Sequence, residues 1–389
     1  MDPLKGKKVL VGVTGGIAAY KAVELVRSLK KHGAEVKVIL TPFAEKFVNR
    51  LTFETLTGNK VFIDWQENPL THINLSRWAD VFLIAPCTVN TLSKIASGIG
   101  DNLLTTTVLA YKGNLILAPA ANPAMYNNPA VKENREKLKK RGITIVEPEY
   151  GILACEEEGE GKLANEEKIL EYVRKSLSAP LLKDKKVLIT CGATREYMDP
   201  VRFISNESSG EMGFSLARVC WWFSAQVKVI AGFTTAQAPF CVEIVKIRSA
   251  QELRAEVLKE LNNTDILIMN AAVADYKPVR RESKKLSKKS KLTLELEKTP
   301  DILEEVGRLK KNTLLIGFAL ESEDLINRAK EKLKRKNLDM IIANPPEVMG
   351  AKYHKGFLIT SEKIEEFVFG SKLESAFFII KRLTSFISS

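Results

Sequence analysis

A short pattern occurs twice in this chain, once at its start and once near its middle. KGKKVLVGVTGG (Lys5–Gly16) and KDKKVLITCGAT (Lys183–Thr194) each consist of a basic lead-in, an apolar run and a glycine-containing turn. An unbroken apolar run of this kind suits a parallel strand covered by helices on both faces. Each pattern therefore reads as the first strand of its own α/β unit. The chain divides into two domains, 1–182 and 183–389, with the junction in SLSAPLLKDKK (Ser176–Lys186), where a proline follows a helical stretch.

Both halves continue by alternation. In the first, β runs at Val9–Val13, Val36–Leu40, Val81–Ala85, Leu115–Ala118 and Ile143–Val146 are separated by helical stretches, among them Ala18–Lys31, Thr91–Ser97 and Pro129–Arg141. In the second, the β runs are Val187–Thr190, Val227–Ala231, Ile266–Asn270, Leu315–Phe318 and Met340–Ala343, with helices over Gly213–Phe223, Ala250–Leu261 and Ser322–Lys336. The predicted fold class is α/β: two doubly wound, Rossmann-like domains. KLTLELEK (Lys291–Lys298) alternates and adds a strand or hairpin arm to the second.

Composition narrows the function classes. The net charge of +12 admits a nucleic-acid binder or an enzyme with anionic substrates. The densest basic stretches, RRESKKLSKKSK (Arg280–Lys291) and AKEKLKRKNLD (Ala329–Asp339), are not interleaved with aromatics, which argues against single-strand stacking. Five dispersed cysteines without a CxxC pair and only three histidines suggest neither a disulfide framework nor a dedicated metal cage. No apolar run has the length of a membrane span, and MDPLKGKKVLVGV lacks the long apolar core of a signal peptide, so a cytoplasmic protein without a membrane partner is expected.

The turns carry the chemistry. GVTGGIAAYK (Gly12–Lys21) ends a strand and opens a helix, so the N–H groups of Gly16, Ile17 and Ala18 suit an anion. It is not GxGxxG, and the second strand ends in Thr41 rather than an acidic residue, which favours a mononucleotide phosphate over NAD. The third strand ends in APCTVN, placing Thr88 and Asn90 at the sheet's carboxyl edge, where open α/β sheets bind ligands. In the second half, TCGATREYMDPVRFISNESSGEMG (Thr190–Gly213) is too long for a bare strand-to-helix turn, and its SNESSGEMG run precedes a helix, an anion site again.

These stretches, with HINLSRWAD (His72–Asp80), PAANPAMY (Pro119–Tyr126) and GILACEEEGEGKLA (Gly151–Ala164), resemble the flavin-containing cysteine decarboxylases. With NAAVADYKP (Asn270–Pro278), TPDIL (Thr299–Leu303), IGFALESE (Ile316–Glu323) and AKEKLKRKNLDMIIAN (Ala329–Asn344), the chain resembles the bifunctional coenzyme A biosynthesis family from Val9 to about Lys381. That family joins a phosphopantothenoylcysteine decarboxylase to a phosphopantothenate–cysteine ligase. For the first half the resemblance implies FMN at Gly15, Gly16, Ile17, Ala18, Thr41, Thr88 and Asn90. It implies His72 as the active-site histidine, Asn122 on the substrate carboxylate and Cys155 on a flap over the substrate. The chemistry is consistent with this set: oxidation of the substrate thiol gives the carbanion left by CO2 an electron sink, and the final reduction needs a proton donor. The glutamates after Cys155 favour the protonated thiol, and the glycines suit a mobile flap. Family members commonly carry glycine directly after that cysteine, where this chain has Glu156.

For the second half the resemblance implies Asn206 as the residue that holds an acyl-nucleotide intermediate. CTP is assigned to Asn270, Ala271, Asp275, Lys285, Pro300, Asp301, Ile302, Phe318, Lys332 and Lys336, with magnesium bound through its phosphates. Lys285 is the catalytic lysine, with Lys284 and Lys288 as competitors. Lys332 and Lys336 are spaced i, i+4 and face one side of a helix. The substrates implied are 4′-phosphopantothenate, cysteine, CTP and phosphopantothenoylcysteine, with no nucleic acid, and the assembly implied is a homo-oligomer, a dodecamer of flavin-domain trimers and ligase-domain dimers. The segment after Asn344, NPPEVMGAKYHKG, departs most from the family pattern. A flavodoxin-like flavin reductase or electron carrier with a nucleotide-binding second domain is the rival reading.

Overall fold

The computed structural model describes residues 2–65, 68–154, 156–287, 291–348 and 353–388. These form two compact units, Asp2–Ala179 and Pro180–Ser389.

The first unit is built on five strands: β1 (Lys8–Val13), β2 (Glu35–Leu40), β3 (Val81–Cys87), β4 (Asn114–Pro119) and β5 (Thr144–Ile145). All pair in parallel in the order β2-β1-β3-β4-β5. Helices α1 (Lys21–Lys31), α2 (Arg50–Thr57), α3 (Thr71–Trp78), α4 (Val89–Ser97), α5 (Leu103–Ala110), α6 (Pro123–Tyr126), α7 (Pro129–Lys140) and α8 (Glu166–Leu177) connect them. Both sheet faces are covered, so β1 is apolar at every position of its buried run. Val9, Val11 and Val13 join the core that includes α1 and α8, and Leu10 joins the one that includes α4 and α5. An antiparallel hairpin, β6 (Glu149–Ile152) and β7 (Glu158–Lys162), stands apart from this sheet.

The second unit carries β8 (Lys186–Cys191), β9 (Arg195–Tyr197), β10 (Phe203–Ser205), β11 (Gln226–Ala231), β12 (Glu243–Lys246), β13 (Ile266–Met269), β14 (Tyr276–Pro278), β15 (Leu296–Lys298), β16 (Leu314–Leu320), β17 (Met340–Asn344), β18 (His354–Ile359) and β19 (Ile364–Phe369). Its helices are α9 (Glu211–Trp222), α10 (Ala250–Leu261), α11 (Ile302–Leu309), α12 (Leu325–Arg335) and α13 (Lys372–Ser388). The main sheet runs β12-β11-β8-β13-β16-β17-β18-β19. Its first six strands are parallel, and their order reverses between β8 and β13, the switch point of a Rossmann-like sheet. β18 and β19 extend the edge in antiparallel fashion. β9 and β10 form a small hairpin in the long loop after β8. The alternating stretch before Lys298 supplies β15, which pairs with β14 as the added arm.

Two doubly wound α/β units are thus what the alternating runs predicted. The local differences have physical causes. The helix predicted from Ala18 begins as a 3-10 turn, Ile17–Tyr20, before α1. HINLSRWAD, a polar stretch, is mostly helix α3, whose inner face rests on Thr71 and Leu75.

Candidate active sites

The first site lies at the carboxyl ends of β1, β3 and β4. Thr14 ties two of these together: its hydroxyl donates to Pro86 O at 2.8 Å and accepts the Thr88 N–H at 2.9 Å. Thr88 then caps α4, accepting the Thr91 N–H at 3.3 Å. Gly15 is required by close approach, because a Cβ there would stand 2.5 Å from the Phe43 ring. Gly16 is not: its φ of −167° is extended backbone, and a Cβ would meet only Thr88, at 3.7 Å.

A cavity of about 680 Å3 opens beside this turn, lined by Gly16, Ile17, Ala18, Pro86, Thr88 and Asn122. The β6–β7 hairpin supplies a further wall through Ile152, Leu153, Ala154 and Gly161–Leu163. The start of the 3-10 turn at Gly16 has no side-chain cap. Asn122 Oδ1 caps α6 by accepting the Ala124 N–H at 2.9 Å, while Nδ2 donates to Glu157 on the hairpin at 2.7 Å. Cys155 lies outside the described residues. Its neighbour Ala154 lines the cavity, and Glu156 adopts a left-handed φ of 64°.

Four predicted residues do not line this cavity. Gly15 supports the turn behind it. Thr41 is buried, and its hydroxyl accepts the Ala44 N–H of its own turn at 3.3 Å. Asn90 is exposed on the first turn of α4. His72 is on α3, its Nδ1 accepting the Trp65 Nε1–H at 3.2 Å.

The second site lies at the switch point of the other sheet. The Thr190 hydroxyl accepts the N–H groups of Asn270 and Ala271, each at 3.1 Å, and the Thr194 hydroxyl accepts that of Ala274 at 3.0 Å. Two β-hydroxyls at the end of β8 thereby fix the NAAVAD segment that follows β13. Asn206 is held against that segment, its Nδ2 donating to Val273 O at 2.9 Å.

Two adjoining cavities of about 490 and 500 Å3 open here. The first is lined by Asn206, Ser208–Gly210 and Asn270, and farther along by Asn344, His354 and Lys372. The second gathers Asp275, Pro300, Asp301, Ile302, Lys332 and Lys336. Ala271 and Phe318 line both. Lys332 Nζ donates to Phe318 O at 3.1 Å, and burial, with the neighbouring Lys336 charge, holds its pKa below the ordinary lysine value. Lys336 Nζ donates to Asp301 Oδ1 at 2.8 Å and lies 2.7 Å from its Oδ2 as an ion pair. Burial opposes ionisation of Asp301, yet the Lys336 ammonium and the Glu304 N–H hold its carboxyl below the usual range.

Lys284 and Lys285 are exposed and line neither cavity, and Lys288 lies outside the described residues. The segment that carries them is nonetheless anchored. The Leu286 N–H donates to Asp199 at 3.1 Å, and the fully buried Asp199 also accepts the Val201 and Arg202 N–H groups, each at 2.7 Å, and Arg202 Nε at 2.9 Å. Burial works against the charge, but these donors hold the Asp199 carboxyl down to about 2. Asn344, His354 and Lys372 were not singled out as site residues in the sequence. The one available signal was His354, one of only three histidines, inside the stretch that departs from the family pattern. Among the described residues, no group of three or more His, Cys, Asp or Glu could hold a metal ion.

Comparison with known proteins gives two family matches. The Flavoprotein model matches residues 2–178, and the model of the DNA/pantothenate metabolism flavoprotein C-terminal domain matches residues 182–387. The coenzyme A biosynthesis bifunctional protein CoaBC of Borreliella burgdorferi is 44% identical over 387 residues, covering 97% of this chain and 99% of that protein. The protein of the same name from Bacillus subtilis is 42% identical over 358 residues, covering 90% and 88%. Among solved structures, the C-terminal domain of a coenzyme A biosynthesis bifunctional protein CoaBC is 34% identical and covers 54% of this chain and 99% of that one, with a TM-score of 0.48.

Proposed function

This chain belongs to the family of coenzyme A biosynthesis bifunctional proteins, and from that premise we propose how its two units divide two consecutive reactions. The enzyme is a ligase and a decarboxylase. Residues 183–389 join cysteine to 4′-phosphopantothenate with CTP. Residues 1–182 then remove CO2 from the product with FMN, giving 4′-phosphopantetheine. The observation that carries the reading is the second cavity of the ligase unit. It collects Ala271, Asp275, Pro300, Asp301, Ile302, Phe318, Lys332 and Lys336 from four separate segments of the chain.

In the ligase unit, Lys332 and Lys336 place positive charge where the CTP triphosphate lies. Magnesium, when bound with the nucleotide, would offset the charge of the triphosphate here. The substrate carboxylate attacks the α-phosphorus and pyrophosphate leaves. The cysteine amine then attacks the acyl carbon and CMP leaves. Asn206, fixed against Val273, holds the acyl-CMP at the wall shared by the two cavities. Lys285, on the segment that Asp199 anchors, is the catalytic lysine.

In the decarboxylase unit, the uncapped helix start at Gly16–Ala18 suits the FMN phosphate, and the apolar wall of Ile17, Pro86, Leu153 and Leu163 suits a flat ring. When bound, FMN supplies the two-electron exchange with the substrate thiol. Asn122 binds the substrate carboxylate, which replaces Glu157 on its Nδ2. Cys155 delivers the last proton. His72, which does not line the cavity of its own chain, completes the site from a neighbouring copy in a trimer, and dimers of the ligase unit build the dodecamer. The protein acts in the cytoplasm. Among the described residues, no helix is long and apolar enough to cross a membrane.

The test is to supply 4′-phosphopantothenate, cysteine, CTP and magnesium. The expected products are 4′-phosphopantetheine, CO2, CMP and pyrophosphate. Absence of CTP-dependent cysteine consumption refutes the ligase assignment, and a protein that binds no FMN refutes the other. Redox cycling with NADPH without CO2 release would favour the flavodoxin-like rival.

A further inference from the structure

A further cavity of the ligase unit, of about 1090 Å3, takes no part in the ligation steps above. It opens at the carboxyl ends of β11 and β12, across β8 from the nucleotide cavity at β13 and β16. Arg195 of β9 lines it and is clamped between two rings. Its guanidinium carbon lies 4.3 Å from the centroid of Phe203 and 3.5 Å from that of Phe233. The rings fix the guanidinium plane without using its N–H donors. Its Nε is buried and has no hydrogen-bond partner among the described residues. Buried donors are nearly always paired, so this one marks room for an acceptor.

The rest of the lining repeats the imbalance. Lys246, Arg248 and Arg281 line the same cavity and, like Arg195, have no carboxylate partner among the described residues. Lys277, the fifth cation there, is paired with Glu297 at 3.1 Å. Two carboxylates line the cavity, and both are engaged by backbone at the start of α10. Glu196 accepts the Ala250 N–H and Glu252 accepts the Arg248 N–H, each at 2.8 Å. The Ser249 hydroxyl accepts the Glu252 N–H at 3.2 Å. The helix start is therefore closed, and what the cavity offers an anion is side-chain charge.

Four unpaired cations around one concave space call for an anion that carries several charges. A single carboxylate would satisfy one of them, and an extended nucleic-acid strand needs an open groove with stacking faces rather than a cavity. The volume exceeds the 680 Å3 beside Gly16, where the FMN phosphate and ring are seated, so a nucleotide fits. We propose that this cavity is a second ligand site, for a compound bearing a diphosphate group, with Arg195 as its rigid anchor and Arg248 as a further phosphate contact. Guanidinium forks match phosphate oxygens, and a guanidinium already held in place loses little freedom on binding. Lys277 and Pro278 of β14 and the nearby Arg281 form one wall. An occupant rests on the connection that leads to Lys284 and Lys285. The proposal goes beyond the ligase reading, because its test is binding and needs no turnover.

The experiment is calorimetric titration of the full-length protein with inorganic pyrophosphate and, separately, with ADP. The wild type is compared with R195M, R195K, R248Q and K332Q. The wild type should show two binding events per chain, one in the nucleotide cavity and one here. A hydrogen bond to a charged group is worth roughly tenfold or more in affinity, so R195M should weaken one event by at least that factor and leave the other unchanged. R248Q should weaken the same event, and R195K, which keeps the charge but not the fork, should recover part of the loss. K332Q should weaken only the other event. Equal affinities for the two probes assign the site to the diphosphate alone, and tighter binding of ADP assigns it to a nucleotide. The proposal is overturned if R195M and R248Q leave every event unchanged, if K332Q removes all binding, or if the wild type binds neither probe. It is also overturned if a single-stranded oligonucleotide binds in an Arg195-dependent way while neither small probe does. If R195M does not fold, R248Q carries the same comparison. If R195M removes one event while K332Q leaves the other intact, the assignment of the nucleotide cavity is what fails.

Discussion

Replacing Lys332 with glutamine probes the nucleotide cavity at a half-buried cation. Its ammonium donates to Phe318 O at 3.1 Å, and burial holds its pKa below that of an ordinary lysine. A triphosphate beside it exchanges a carbonyl partner for an anionic one. Such a charge-assisted bond is worth roughly 1.5–3 kcal/mol, or about 10- to 160-fold in affinity. K332Q should therefore raise KM for CTP by about that factor, in a steady-state assay that varies CTP at saturating 4′-phosphopantothenate and cysteine. The pH dependence follows from the direction of the shift. In the free enzyme, Lys332 loses its proton at lower pH than an ordinary lysine, so kcat/KM for CTP falls early on the alkaline side. Bound triphosphate raises the pKa, so kcat persists to higher pH. K332R, which keeps its charge throughout, should move the alkaline limb of kcat/KM upward. A K332Q enzyme with unchanged KM for CTP and a lowered melting temperature would falsify the assignment, because Lys332 would then only tie α12 to β16.

Three further changes test the other features. Gly161→Ala places a Cβ 2.1 Å from Ala121 O, where the hairpin docks on the loop before α6; overpacking costs roughly 1–3 kcal/mol, and the displaced hairpin should be cleaved faster by trace protease and show a higher KM for phosphopantothenoylcysteine. Glu156→Gly removes a left-handed non-glycine residue with φ of 64°, so calorimetry should show a gain of about 1 kcal/mol, and the Cys155 alkylation profile should shift to lower pH if the Glu156 carboxylate favours the protonated thiol. Asp199→Asn sets an amide against donors that a carboxylate accepts, freeing the segment with Lys284 and Lys285; ligation kcat should fall while decarboxylation of supplied phosphopantothenoylcysteine is unchanged. The wild-type Asp199 contribution should be fully present above its ordinary value of 3.8 and disappear as pH falls through about 2, as acid titration of the ligase unit can follow.

The parallel strands were legible because burial on both faces writes them as unbroken apolar runs, as in VLVGV and VLITC. The β6–β7 hairpin was not. β7 does alternate between exposed and buried positions, but the buried ones are Gly159 and Gly161, which hydropathy cannot register. They are glycines because Pro123 and Ala121 press on them, a tertiary fact that no local pattern carries. β18 escaped detection for a related reason: two of its inward positions are His354 and Gly356. At the sites, residues on strand-to-helix turns were easier to place than those whose surroundings depend on other elements. The spacing of Lys332 and Lys336 put them on one side, but nothing in it revealed that Asp301, far along the chain, would hold Lys336. Thr41 stood at the right strand end, yet its hydroxyl is engaged by its own turn. Glu156 was visible as a departure from the family's glycine, and its left-handed backbone gives that glycine a steric reason.

Ala271 and Phe318 border both cavities of the ligase unit, and this common partition has a thermodynamic corollary. Two ligands that press on the same pair of residues cannot bind independently. Whatever CTP does to the affinity for the acyl substrate, the acyl substrate must do to the affinity for CTP, by the same factor. Substitution of Phe318 would then alter that cooperativity as well as either affinity, and the order in which the two substrates load would become an adjustable property of a single aromatic ring.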